Sequence, residues 1–132
     1  MDIVVDASTI IAVVTNELTK SKLVELTKGA QLMAPGSIHW EIGNAFSAML
    51  RRKRVTLAQA HQAFAAYRQI TVRFVDVEVE DSLHIADSLN IYAYDAYLIR
   101  CALKYNAPLL TLDKGLAHSA GLMKVKVVEI ES

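Results

Sequence analysis

Apolar residues open the chain as a compact β-branched run, Ile3-Val4-Val5, which Asp6 interrupts. The spacing then stretches through Ile10, Ile11, Val13 and Val14 to helical intervals, which predicts a strand followed by a helix. A second helix is expected from about Lys20 to Lys28, closed by Gly29, with Gln31-Leu32-Met33-Ala34 as a brief strand ahead of Pro35-Gly36. Ser37 stands where it can cap a long third helix. Its apolar face is Ile38, Ile42, Ala45, Phe46 and Met49, and it ends near Arg51-Arg52-Lys53-Arg54. Thr56 opens a fourth helix to about Gln69, with Leu57, Ala60, Phe64 and Tyr67 on the buried stripe, and Val72–Val75 reads as a third strand.

Further helices are predicted over about Val79 to Leu89 and from Asp95 onward. Pro108–Leu112 then forms a fourth strand that delivers Asp113 at its carboxyl end. A short helix, Lys114 to Ala120, is stopped by Gly121, and Val125–Ile130 supplies a last strand. Strands and helices therefore alternate, the pattern of an α/β fold whose parallel sheet is covered on both faces. With 132 residues, 53% of them hydrophobic, the chain can bury its own core, so one domain over residues 1–132 is expected.

Lysine plus arginine and aspartate plus glutamate are both 14, so no overall basic charge points to nucleic acid. Any RNA contact has to come from a local patch. Arg51, Arg52, Lys53 and Arg54 form the densest one, and they serve equally well to complement a helix C-terminus. Arg68 and Arg73 are weaker candidates. Cys101 is the single cysteine, in an apolar helical run, and reads as a buried reduced thiol. The N-terminus lacks the basic region and apolar run of a signal peptide, and no apolar stretch reaches the roughly 18 residues of a membrane span. A soluble cytoplasmic protein without a membrane segment is expected.

Ligands of open parallel sheets sit beyond the carboxyl ends of the strands, and Asp6 and Asp113 both occupy such ends. If the first and fourth strands are neighbours, the two acids approach within roughly the 4.8 Å strand spacing plus side-chain reach. Their repulsion suits a divalent ion with all-oxygen ligands, Mg²⁺ or Mn²⁺. Glu41 and Asn44, three residues apart, share one edge of the third helix, while Asp95 stands at a helix start. Each acid also has an ordinary reading: Asp6, Asp95 and Asp113 as helix caps, Glu41 as a solvated charge. Asp2, Glu17, Asp76, Asp81 and Asp87 match no strand end or converging edge. Trp40 is expected to pack, and His39, His61, His84 and His118 are scattered without metal-ligand spacing.

In this order and spacing, Ile3-Val4-Val5-Asp6-Ala7-Ser8, Glu41-Ile42-Gly43-Asn44, Tyr94-Asp95-Ala96-Tyr97-Leu98 and Leu110-Thr111-Leu112-Asp113-Lys114 resemble the PIN-domain ribonucleases, most closely the VapC toxins of toxin–antitoxin pairs. The resemblance covers nearly the whole chain. It implies a three-layer α/β/α domain around a parallel sheet of about five strands in the order 3-2-1-4-5. It maps Asp6, Glu41, Asp95 and Asp113 onto the acids that bind metal and support phosphodiester hydrolysis, and Ser8 and Thr111 onto neighbouring hydroxyl positions. Asn44 matches a residue that orients a carboxylate or water. The implied partners are RNA as substrate, a VapB-like antitoxin and a second copy of the chain. A competing class is a catalytically idle module of the same fold that binds RNA or protein. Other α/β enzymes fit worse: no Gly-x-Gly-x-x-Gly or Walker loop follows the first strand, and Ser8 stands where an Asp-x-Asp phosphotransferase needs an acid.

Overall fold

The structure is a computed structural model in which residues 1–17 and 19–130 are described. In chain order the elements are β1 (Asp2–Val5), α1 (Ala7–Val14), α2 (Lys20–Thr27), β2 (Gln31–Pro35), α3 (Ile38–Arg51), α4 (Leu57–Arg68), β3 (Val72–Val75), α5 (Val79–Leu89), α6 (Ala93–Lys104), β4 (Leu109–Leu110) and α7 (Lys114–Leu122). The strands form one parallel sheet in the order β3-β2-β1-β4. The expected order is thus kept for four strands. The fifth contracts to a single bridge, Leu109 to Val127, flanked by hydrogen bonds from Leu109 N–H to the Lys126 carbonyl and from Val128 N–H to the Leu109 carbonyl. A neighbour only two residues long gives a longer edge strand little to pair with.

Alternation in β1 divides the core. Ile3 and Val5 face Ile10, Leu23, Ile42, Phe46 and Tyr67, drawn from α1 to α4, whereas Val4 faces Ile85, Leu98, Ile99 and Leu116 from α5 to α7. Each buried Val or Ile contributes roughly 1.5–3 kcal/mol, so a one-residue register slip in β1 would cost both layers at once. The two layers on opposite faces make the sandwich in which the carboxyl ends of β1 and β4 lie side by side.

Local signals explain most boundaries. Thr56 accepts from Gln59 N–H while the Gln59 side chain accepts from Thr56 N–H, a complete capping box for α4. Gly29, at φ +77°, turns the chain out of α2, a conformation that strains other residues. Other expectations fail. Ser37 has a helical backbone and makes no capping bond. Leu57 points to solvent, and Ala63 takes its place in the buried stripe of α4. α6 starts at Ala93 with Tyr92 at its N-cap, so Asp95 lies inside the first turn. α7 runs past Gly121 to Leu122. Among the described residues no helix is long and apolar enough to cross a membrane.

Candidate active site

Asp6 is the first residue beyond β1 and the N-cap of α1, where its buried carboxylate accepts from Thr9 N–H at 3.0 Å. Three hydroxyls close round it. Ser8 Oγ lies 2.8 and 2.9 Å from its two oxygens, Thr9 Oγ1 lies 3.0 Å from Oδ1, and Thr111 Oγ1 donates to Oδ2. Two of these hydroxyls also accept main-chain hydrogens: Leu112 N–H reaches Ser8 Oγ and Asp113 N–H reaches Thr111 Oγ1, each at 3.0 Å. The β4–α7 connection is therefore tied to Asp6 through two side-chain relays. Asp113, at the end of that connection, caps α7 by accepting from Leu116 N–H at 3.1 Å. For Asp6 and Asp113 the cap and the site are the same carboxylate.

Glu41 reaches the same place from the first turn of α3, and Asp95 from the first turn of α6. Asp6, Ser8, Glu41, Asn44, Asp95 and Asp113 line one open cleft of about 410 Å³. Burial pushes the Glu41 carboxyl up to about 8, helped by the negative charges of Asp6 and Asp95. Asp95 is raised by burial and then by Asp113 and Asp6. Asp6 is raised by burial against the opposing pull of its hydrogen bonds. Among the described residues no cationic side chain pairs with these acids, and Glu41 Oε2 is buried without a hydrogen-bond partner. A set of carboxylate oxygens with one orphaned buried atom and mutual repulsion fits a hard divalent cation. Among the described residues no three His, Cys, Asp or Glu side chains are placed to hold one ion as they stand. Size does not single the cleft out: another, of about 430 Å³ between the end of α1 and the α3–α4 turn, contains no carboxylate.

A model of the PIN domain family matches residues 3–122. The chain belongs to the PIN domain family. Among solved structures, this PIN domain is similar to PAE2754 from Pyrobaculum aerophilum, with 21% identity and a TM-score of 0.69 over 90% of this chain and 87% of that one. It is similar to VapC20 of Mycobacterium tuberculosis, a toxin that cleaves the sarcin-ricin loop, with 17% identity and a TM-score of 0.64 over 89% and 94%. A chain of VapBC2 from Rickettsia felis, solved bound to a DNA fragment from their promoter, matches with 12% identity and a TM-score of 0.69 over 99% and 100%. At these identities the likeness is one of fold. A search of curated proteins finds no match.

The remaining expected positions of the PIN domain divide. Ser8 and Thr111 touch Asp6, as described. Asn44 lines the cleft but makes no side-chain hydrogen bond to Glu41, and its carbonyl accepts from Ser47 Oγ. Arg51, Arg52, Lys53 and Arg54 are exposed and scatter: α3 ends at Arg51, Lys53 takes a left-handed backbone at φ +57°, and Arg54 lines the carboxylate-free cleft. Trp40, expected to pack, is 71% exposed, because its position on α3 turns away from the Ile38–Ile42–Phe46 face. Three residues near the acids escape a sequence reading. Thr9 was readable only as the third residue after a cap, and Tyr92 and Tyr94 only as aromatics preceding Asp95.

Proposed function

We propose that this PIN domain, residues 1–132, is a Mg²⁺- or Mn²⁺-dependent ribonuclease that hydrolyses RNA phosphodiester bonds with an activated water. We propose further that it is the toxin of a VapBC-type pair. The observation that carries the reading is the gathering of four acids round one cleft with no cationic side chain among the described residues that line it, Glu41 being pushed up to about 8. Membership of the PIN domain family and a fold shared with a sarcin-ricin-loop-cleaving toxin support the same chemistry.

Asp6, Glu41, Asp95 and Asp113 would hold the ion. When bound, it supplies an acidified water and positive charge against the phosphate as attack proceeds. The chain's own task is placement. Ser8 and Thr111 fix Asp6 and, through Leu112 and Asp113 N–H, set the distance between the two strand ends. Asn44, whose amide makes no hydrogen bond among the described residues, lines the cleft and can orient a water or a phosphate oxygen. Arg52, the exposed C-cap residue of α3, can meet a phosphate of the same strand. No protein nucleophile is needed.

The toxin assignment brings a VapB-like antitoxin, a homodimer and a cytoplasmic setting, in keeping with the single buried thiol. The VapBC2 likeness supports the pairing. Incubation of a structured RNA in Mg²⁺ with the native protein, Asp6→Asn and Asp95→Asn tests the chemistry: cutting by the native protein alone is expected, and equal cutting by all three would defeat the metal site. A short neighbouring reading frame with a DNA-binding N-terminus would support the toxin role.

A further inference from the structure

Tyr92 is an unusual neighbour for an acid cluster. It lines the cleft yet is 91% exposed, its ring and hydroxyl without a partner among the described residues. Its backbone is fixed: it is the N-cap of α6, extended at φ −75° and ψ 160°, and its carbonyl accepts from Ala96 N–H at 3.3 Å. Two residues on, Tyr94 lines the same cleft at 41% exposure, its ring braced edge-on against Tyr97 at 6.4 Å. One ring is free and one is held, both within three residues of Asp95.

A ring of this kind carries roughly 150–250 Å² of surface that gains by burial; Tyr92 leaves nearly all of it outside the fold and Tyr94 a large part. The π-face of a nucleobase is a fitting cover, because stacking tolerates any base and leaves the phosphates free to lie across the acids. In an A-form duplex those faces are occupied by neighbouring bases, so the rings can engage only nucleotides that are unpaired. We propose that Tyr92 and Tyr94 form a stacking lip that admits unpaired RNA to the cleft and seats a base beside the scissile phosphate. This deepens the ribonuclease reading and rests on it.

Binding and cleavage separate the two. A short single-stranded RNA carrying 2-aminopurine, and the same strand in a duplex, are titrated with Ca²⁺ in place of Mg²⁺, followed by anisotropy and 2-aminopurine emission. The native protein is expected to bind the single strand more tightly than the duplex and to quench the probe. Tyr92→Ala with Tyr94→Ala weakens binding about tenfold or more and abolishes the quench, while the two Tyr→Phe changes restore both. Because Tyr92 is exposed, Tyr92→Ala alone tests the lip if the double variant misfolds. Equal binding by the alanine variants, a preference for duplex, or no binding by the native protein overturns the proposal; equal binding would instead mark the lip for a protein partner. Cleavage in Mg²⁺ is scored apart. Cutting with unchanged binding in the alanine variants sinks the lip alone, and tyrosine-dependent binding without cutting sinks the ribonuclease alone.

Discussion

Glu41 and Glu78 are both carboxylates at the start of a helix, and the fold treats them in opposite ways. Glu78, at the N-cap of α5, accepts from Lys104 and from Arg100 Nη2 and Nε at 3.0 and 3.2 Å. These partners, Lys104 foremost, hold it down to about 2. Glu41 is half-buried beside other acids and is pushed up to about 8. The first has its counter-charges within the chain and joins α5 to α6. The second has none among the described residues and is pushed towards its neutral form, as expected of an acid in the proposed ion site.

Removal of a cleft acid has the largest expected effect. Asp6→Asn or Asp95→Asn is expected to lower kcat on RNA by about a thousandfold, because ion-borne stabilisation of the reacting phosphate is worth several kcal/mol. Circular dichroism should show the fold retained. A smaller loss is expected from Thr111→Val, which cuts one tie between Asp6 and the chain at Asp113: about 10–100-fold in activity or metal affinity, with Thr111→Ser recovering most of it.

pH gives the next contrast. Glu41, Asp6 and Asp95 are all raised in the folded protein. For Glu41 the folded state keeps a proton that the unfolded chain has lost, so stability of the metal-free protein falls as pH rises from about 4.5 to about 8. Thermal midpoints across this window should show the decline, Glu41→Gln should flatten it, and Mn²⁺ should raise the midpoint most at the alkaline end. The smallest effect belongs to Glu78→Gln. Cleavage should be unchanged. Glu78 is depressed, so its contribution is present above about 4.5 and lost as pH falls through about 2. The variant should therefore lose less stability on acidification than the native protein, a difference that salt reduces.

Much of this was legible in the sequence. The β-branched run of β1 and the helical spacing of α3 follow from periodicity. The strand-end position of Asp6 follows from alternation of strands and helices, whereas Asp113, expected at the end of a strand running to Leu112, stands three residues beyond the shorter β4 as the cap of α7. Asp95 and Trp40 were misplaced for physical reasons: a helix can begin on a tyrosine with no capping side chain, and the face of a helix that meets the sheet depends on its rotation, which one aromatic residue does not reveal. The shrinkage of the last strand depends on how little of β4 is available for pairing, a tertiary fact. The two hydroxyl relays join residues 103 to 105 positions apart in the chain and were beyond local patterns altogether.

The four acids are proposed to act together as a cation site. Mn²⁺ uptake at neutral pH, followed by electron paramagnetic resonance of the free ion, tests it most directly in the native protein, Asp6→Asn and Asp95→Asn. Saturable uptake by the native protein, accompanied by proton release and lost or much weakened in both variants, is the expected result. No uptake by the native protein, or equal uptake by all three, would contradict it.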